Sequence, residues 1–227
     1  MDAPLRQRNE NDSEDGDRSL LKEIAYRQLK HSIMTEEFPP GTTLAERKLA
    51  LRLGMSKTPV KAALERLVVE GFVTITPQQC ILVREMTPKE IEDQYEIRTA
   101  MESFVVRSLA SRIQSNEIAR LEQSLQKQSD SLDSKDVQGW VEHDAEFHLL
   151  LAELHGNDAI YRFMLELRDR MFRVINRVFQ LNPVRFQDSI DEHRRIVHAL
   201  AGREPEAAAT LIAQHLDKGR QLVLSPG

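Results

Sequence analysis

From Ser19 onward the apolar positions Leu21, Ile24, Ala25, Leu29, Ile33 and Met34 return at helical spacing, which is the mark of one buried stripe. The run stops at Phe38-Pro39-Pro40-Gly41, because proline cannot continue a helix. A short helix is predicted from about Ala45 to Leu53, then a turn at Gly54-Met55-Ser56, then a longer helix to Glu70. Gly71 follows it, where a left-handed cap is cheap for glycine. Two helices joined by a tight glycine-containing turn form a helix-turn-helix. Beyond Gly71 the period shifts to that of a strand: FVTIT, PQQ and CILV predict a small β-hairpin, so this part of the chain reads as a winged helix.

Arg84 to Pro88 reads as a linker, with Pro88 suited to the first turn of a new helix. Six further helical stretches are predicted, at about 88–112, 115–132, 136–155, 157–181, 184–202 and 204–223. The first of them is expected to bury Ile97, Met101, Phe104, Val105 and Leu109. With no convincing strand after residue 87, this half should be a helical bundle. The fold class is therefore mainly α: a winged helix-turn-helix over 19–86, then an all-helical domain over 87–227. Residues 1–18 are polar and nearly free of large apolar side chains, which predicts a flexible tail.

Composition changes this picture in two ways. The chain has 227 residues with 41% hydrophobic and 30% charged, ample for two cores, and it lacks any apolar run long enough for a membrane span or an export signal. A single cysteine, Cys80, excludes an internal disulfide and fits the cytoplasm. The net charge of −5 is unevenly spread: residues 21–86 hold ten Lys and Arg against seven Asp and Glu, and residues 87–227 hold eighteen against twenty-three. The first half is mildly basic, as a polyanion-binding unit requires.

That basicity has a focus. In a helix-turn-helix the second helix enters the major groove by its N-terminal end. Here Val60, Leu64, Leu67 and Val68 would hold the helix to its domain, Ser56 would cap it and Pro59 would sit in its first turn. Lys57, Thr58 and Lys61 are then left pointing outward, with Arg47 opening the preceding helix as their partner. A lone pair of lysines is an ordinary solvated helix end; inside this supersecondary unit it reads as a contact to phosphates and base edges.

The acidic half carries most of the histidines. Asp144 and His148 in EHDAEFHLLLAELHGN lie four apart, hence on one helix face. His193 and His215 lie on the apolar sides of later helices. By spacing alone the four fit either a divalent-metal site or a set of histidines satisfied by ordinary core hydrogen bonds.

The segment FPPGTTLAERKLALRLGMSKTPVKAALERLVVEGFVTITP resembles the DNA-binding domain of the GntR family of bacterial transcription regulators. The resemblance implies DNA contacts at Arg47, Ser56, Lys57, Thr58 and Lys61. The chain departs from the family pattern in having lysine rather than arginine at 57 and 61, Ala62 for a usual Glu, and Gln78-Gln79-Cys80 where the wing tip is usually Arg-Gly. Lysine lacks the planar fork of arginine, so base preference is expected to differ. Cys80 reads either as a small residue at a hairpin or as a thiol in a cationic setting.

Residues 88–223 resemble the FCD ligand-sensing domain of the FadR subfamily, through YEIRTAMES, DAEFHLLL, Gly156-Asn157, EHRRIVHAL and a final His215. That resemblance implies a divalent ion held by Asp144, His148, His193 and His215, with Zn²⁺ favoured and Ni²⁺ or Mn²⁺ open. It also implies an organic-acid effector, with Arg98 as a charged contact and Asn157 either lining the pocket or capping the next helix. The function expected is a homodimeric regulator, by family habit a repressor, on an inverted-repeat operator in double-stranded DNA. An enzyme is not expected: neither H-E-x-x-H nor paired E-x-x-H motifs occur.

Overall fold

The computed structural model describes residues 10–77, 80–181 and 184–224. The chain divides into two compact units, 1–85 and 86–227. In the first unit α1 (Glu10–Met34), β1 (Thr43–Leu44), α2 (Glu46–Leu53), α3 (Lys57–Val69), β2 (Val73–Ile75) and β3 (Ile81–Val83) follow in order. Helix α1 starts at Glu10, ahead of the expected Ser19. Once a buried stripe has nucleated a helix, each further residue adds a hydrogen bond at little cost, so the helix propagates into polar sequence. Residues 1–9 of the expected tail lie outside the described residues.

The buried stripe is the one the periodicity marks: Ala25, Leu29 and Ile33 of α1 meet Val60, Leu64 and Leu67 of α3, each at most 1% exposed. A polar clamp closes the same packing. The Tyr26 hydroxyl and Lys30 ammonium donate to Glu70 at 2.7 and 2.9 Å, and Arg66 lies over the Tyr26 ring at 3.5 Å while donating to Glu23 and Glu70. Gly54 ends α2 with φ 64°, a left-handed turn in which any side chain would be strained, and its N–H returns to Ala50 and Leu51.

The wing is a three-stranded antiparallel sheet in the order β1-β3-β2, one strand more than the hairpin predicted. Thr43 opposes Leu82 on one side of β3 and Thr74 opposes Leu82 on the other. Two residues of β1 are too few to show a strand period, which is why the sequence hides it. The wing tip, Gln78 and Gln79, lies outside the described residues; Cys80 beside it is exposed.

The second unit consists, among the described residues, of six helices: α4 (Pro88–Ala110), α5 (Ser115–Asp133), α6 (Val137–His155), α7 (Asp158–Leu181), α8 (Val184–Ala201) and α9 (Pro205–Leu224). Their ends agree closely with the predicted spans. Helix α4 opens on a capping box in which Thr87 and Glu90 each satisfy the other's backbone N–H, with Pro88 in the first turn. Its buried face differs from the one expected. Val105 and Leu109 are buried, but Ile97 is 41% and Phe104 52% exposed, and the inward positions are taken instead by Tyr95, Arg98 and Glu102. Apolar spacing placed Met101, Val105 and Leu109 against the core but misplaced Ile97 and Phe104, because two charged residues occupy the core face, where hydrophobicity gives no signal.

Candidate metal centre and DNA-facing helix

Asp144 and His148 project from α6, His193 from α8 and His215 from α9. One ligand atom from each lies within 4.8 Å of all the others. All four side chains are buried, His193 completely. Nε2 of His193 and Nε2 of His215 stand 3.3 Å apart, and Nε2 of His193 is 3.8 Å from the Asp144 carboxylate.

The other ring nitrogen of each histidine is tied down. Nδ1–H of His148 donates to Glu102 at 2.5 Å, that of His193 to the Gln128 side-chain oxygen at 3.0 Å, and that of His215 to Glu192 at 2.7 Å. Arg185 also approaches His215 Nδ1, at 3.3 Å, but the shorter carboxylate contact decides the tautomer. Gln128 keeps its oxygen for His193 because its NH₂ group faces the His143 carbonyl at 3.4 Å. With every Nδ1 acting as donor, all three Nε2 atoms present lone pairs to one point.

Such a point suits a cation. Two lone pairs at 3.3 Å repel, His148 Nε2 is buried with no hydrogen-bond partner, and the fourth group is a carboxylate. Two nitrogens on one tetrahedral Zn²⁺ at ~2.0–2.1 Å stand about 3.3 Å apart, so the residues fit the ion that the donor set implies. Burial holds the His148 and His193 imidazoles well below their ordinary range, and Arg98, Arg185 and the neighbouring histidines push the same way. Burial also lowers His215, opposed by its bond to Glu192. Neutral rings are what a metal requires. The Asp144 carboxyl is raised by burial to about 6, against the pull of Arg98, Arg185 and the Ser189 hydroxyl at 3.2 Å.

Sequence reasoning named the four converging residues but missed the residues that orient them. Glu102 is held by Arg98 at 2.6 Å, and Glu192 by Arg185 at 2.7 Å and Lys218 at 2.8 Å. The available signals were modest: Glu102 stands one helical turn after Arg98, and Glu192 directly precedes His193. Gln128 gave none. Of the two residues expected at an effector, Arg98 is buried and lines both narrow clefts beside the quartet. For Asn157 the geometry supports the capping alternative. Asn157 is exposed and its side-chain oxygen caps α7, accepting from the N–H groups of Ala159 and Ile160 at 3.0 and 3.3 Å. His143 and His198 face away, His143 toward Ser131 at 3.0 Å.

In the first unit Lys57, Thr58 and Lys61 are all exposed on the first turns of α3, and Arg47 is exposed on α2. Ser56 occupies the N-cap position, yet its hydroxyl makes no capping bond, contrary to expectation. Ser56 is exposed at a helix start, and the first N–H groups of a helix lack intrahelical partners, a setting that favours phosphate. Other cations of this unit are spent within it: Arg66 and Lys30 in the clamp, Arg52 on Glu37, and Arg27 on Glu23. No ion pair holds Arg47, Lys48 or Lys57 among the described residues, and Lys61 meets Glu65 only at 3.9 Å between exposed groups, which is weak. Lys48 was not singled out from the sequence; its adjacency to Arg47 was the signal.

A winged helix-turn-helix followed by an all-helical unit with a buried Asp-His₃ centre defines a DNA-binding transcription regulator with a separate ligand-binding domain. The chain belongs to the gntR family of bacterial regulatory proteins, whose model matches residues 21–83, and the FCD domain model matches residues 93–218. It is 35% identical over 127 residues to an HTH-type transcriptional regulator of the TAR-I ttuE-ttuC' intergenic region of Agrobacterium vitis, covering 55% of this chain and 74% of the relative. To the HTH-type transcriptional repressor RspR of Escherichia coli it is 28% identical over 194 residues, 85% of this chain and 84% of the relative. The solved structure of E. coli McbR/YncC shares its fold, with TM-score 0.77 at 22% identity over 89% of this chain and 96% of that one.

Proposed function

We propose that the protein is a homodimeric repressor of the FadR subfamily, acting in the cytoplasm. Its grip on an inverted-repeat operator is set by a small carboxylate effector bound beside a divalent ion. The convergence of three lone-pair nitrogens and one carboxylate, each nitrogen's opposite side anchored, is the observation that carries the reading. Asp144, His148, His193 and His215 would hold the ion, with Zn²⁺ suited best to this nitrogen-rich set and Ni²⁺ or Mn²⁺ acceptable to it. When bound and expanded beyond its four protein ligands to five-coordination, the ion would supply a Lewis-acidic position for an effector carboxylate. Arg98, already beside the quartet, adds positive charge there.

Arg47, Ser56, Lys57, Thr58 and Lys61 would contact DNA, and Lys48 joins them on exposure and on having no ion pair among the described residues. Two-fold symmetry of the operator follows from pairing two such units. The name of the E. coli relative RspR supports repression rather than activation. Among the described residues no helix is long and apolar enough to cross a membrane. The ion here serves recognition and not turnover, so carboxylic acids incubated with the loaded protein should remain unchanged.

The test is metal analysis with calorimetry on the full chain. Wild type should retain about one ion per chain and lose thermal stability on chelation, whereas His193→Ala should hold none and show no chelator effect. A wild type that takes up no Zn²⁺, Ni²⁺ or Mn²⁺ would sink the metal reading. Failure of the loaded protein to retard any duplex, including its own upstream sequence, would sink the regulator reading.

A further inference from the structure

Two narrow clefts meet at Arg98. One is mixed, with Asp144, Arg185 and His215 beside Ile175, Phe179 and Leu216. The other runs between α6 and α7, and apart from Arg98, His148 and Arg168 its walls are Ala145, Leu149, Met164, Leu167, Met171 and Ile175. The polar groups of this second cleft are mostly committed. Arg98 donates to Glu102 at 2.6 Å, His148 Nδ1 is tied to the same carboxylate, and Arg168 pairs with Asp169. What remains uncommitted is His148 Nε2, buried and without a partner at the cleft's metal end.

A ligand filling this cleft therefore meets charge at Arg98 and His148, a guanidinium at Arg168 that is already paired with Asp169, and hydrocarbon along the rest. A hydroxyl or a second carboxylate lying among Leu149, Met164 and Met171 would lose its water with nothing to replace it, a costly exchange. An alkyl chain meets no such penalty, and the two unbranched methionines can re-pack around it. Building on the metal reading above, we propose that the effector is a short aliphatic monocarboxylic acid. Its carboxylate lies at the Asp144/His148/His193/His215 ion and Arg98, and its alkyl body lies between α6 and α7. Dicarboxylic and polyhydroxylated acids are the excluded classes.

The experiment is isothermal titration of the Zn²⁺-loaded full-length protein with acetate, propionate, butyrate and hexanoate, and with malate and gluconate. Affinity should climb about fourfold per added methylene until the cleft is full, then level off. Butyrate should bind more tightly than malate or gluconate. Met164→Ala, which enlarges the cleft away from the ligand residues, should move the plateau to a longer chain while leaving Zn²⁺ uptake unchanged. A flat series, or tighter binding of malate or gluconate, overturns the assignment whether or not the variant folds. Zn²⁺ retention in the same samples separates the two levels: uptake of the ion with a flat series defeats this inference alone, whereas no uptake defeats the reading beneath it.

Discussion

At the scale of single residues, the proposed DNA-facing surface rests on which cations the fold leaves over. Arg66 and Lys30 neutralise Glu70, while Lys57 is exposed at the helix start with no ion pair among the described residues, so Lys57 is placed to release counterions on binding a phosphate. Lys57→Ala should weaken operator binding about tenfold or more and reduce the salt slope by about one, measured by fluorescence anisotropy across a salt series. Binding that is unchanged in strength and salt dependence would remove Lys57 from the interface. Glu70 provides a different test, of the support behind α3. Burial raises its pKa, but bonds from Lys30, Tyr26 and Arg66 outweigh that and hold the carboxyl below its usual value. A depressed carboxylate contributes stability above its unfolded pKa and loses it as pH falls through the folded value. The DNA-binding unit should thus weaken as pH drops below about 4.5, and Glu70→Gln should cost about 1 kcal/mol at pH 7 while flattening that acid slope in urea titrations. An acid slope identical in the variant would show that the clamp carries no linkage.

At the scale of elements, the sequence disclosed helices and their caps far better than it disclosed which face of α4 turns inward. Pro88, Gly54, Gly71 and the i to i+4 apolar stripes are local signals, and each marks an element end or a face by its own chemistry. The four candidate ligands were legible because Asp144 and His148 share one helix face and the later histidines sit in apolar stretches. Their supports were not legible. Glu102 on α4, Gln128 on α5 and Glu192 on α8 look like solvent-facing residues in a sequence, and only helix packing brings them to the rings. Each Nδ1 acceptor comes from a helix that fixes one imidazole, so the centre is a property of α4, α5, α6, α8 and α9 together. Gln128, with no exposed surface, tests this most cleanly. Gln128→Leu keeps the volume but strips His193 of its acceptor, freeing the ring to turn and change tautomer. Zn²⁺ affinity should fall about 10–100-fold by competition with a chromogenic chelator, with DNA retardation by the metal-loaded variant preserved. An unaltered Zn²⁺ affinity would mean that packing alone, including the stacking of His193 on Phe147 at 4.2 Å, orients the ring.

At the scale of the whole molecule, the two units have separate cores, one around Leu29, Leu64 and Phe72 and one around Phe147, Leu151 and Ile196. The wing lies in the first unit and the quartet in the second, so control of DNA by an acid would be a difference in free energy between states. Such control is bounded. An effector can shift operator affinity by no more than its own preference for one state over the other. The coupling must also be reciprocal: if butyrate lowers operator affinity by some factor, saturating operator must lower butyrate affinity by the same factor. For couplings of ordinary size that factor is roughly 5–150. Titrating DNA at saturating butyrate, and butyrate at saturating DNA, on the same Zn²⁺-loaded protein measures both sides of the cycle. Equal factors above about five would establish regulation through the metal centre. A factor of one on both sides, with the ion and the acid bound, would leave the acid a ligand without control over DNA and would return the centre to a staple for the helical bundle.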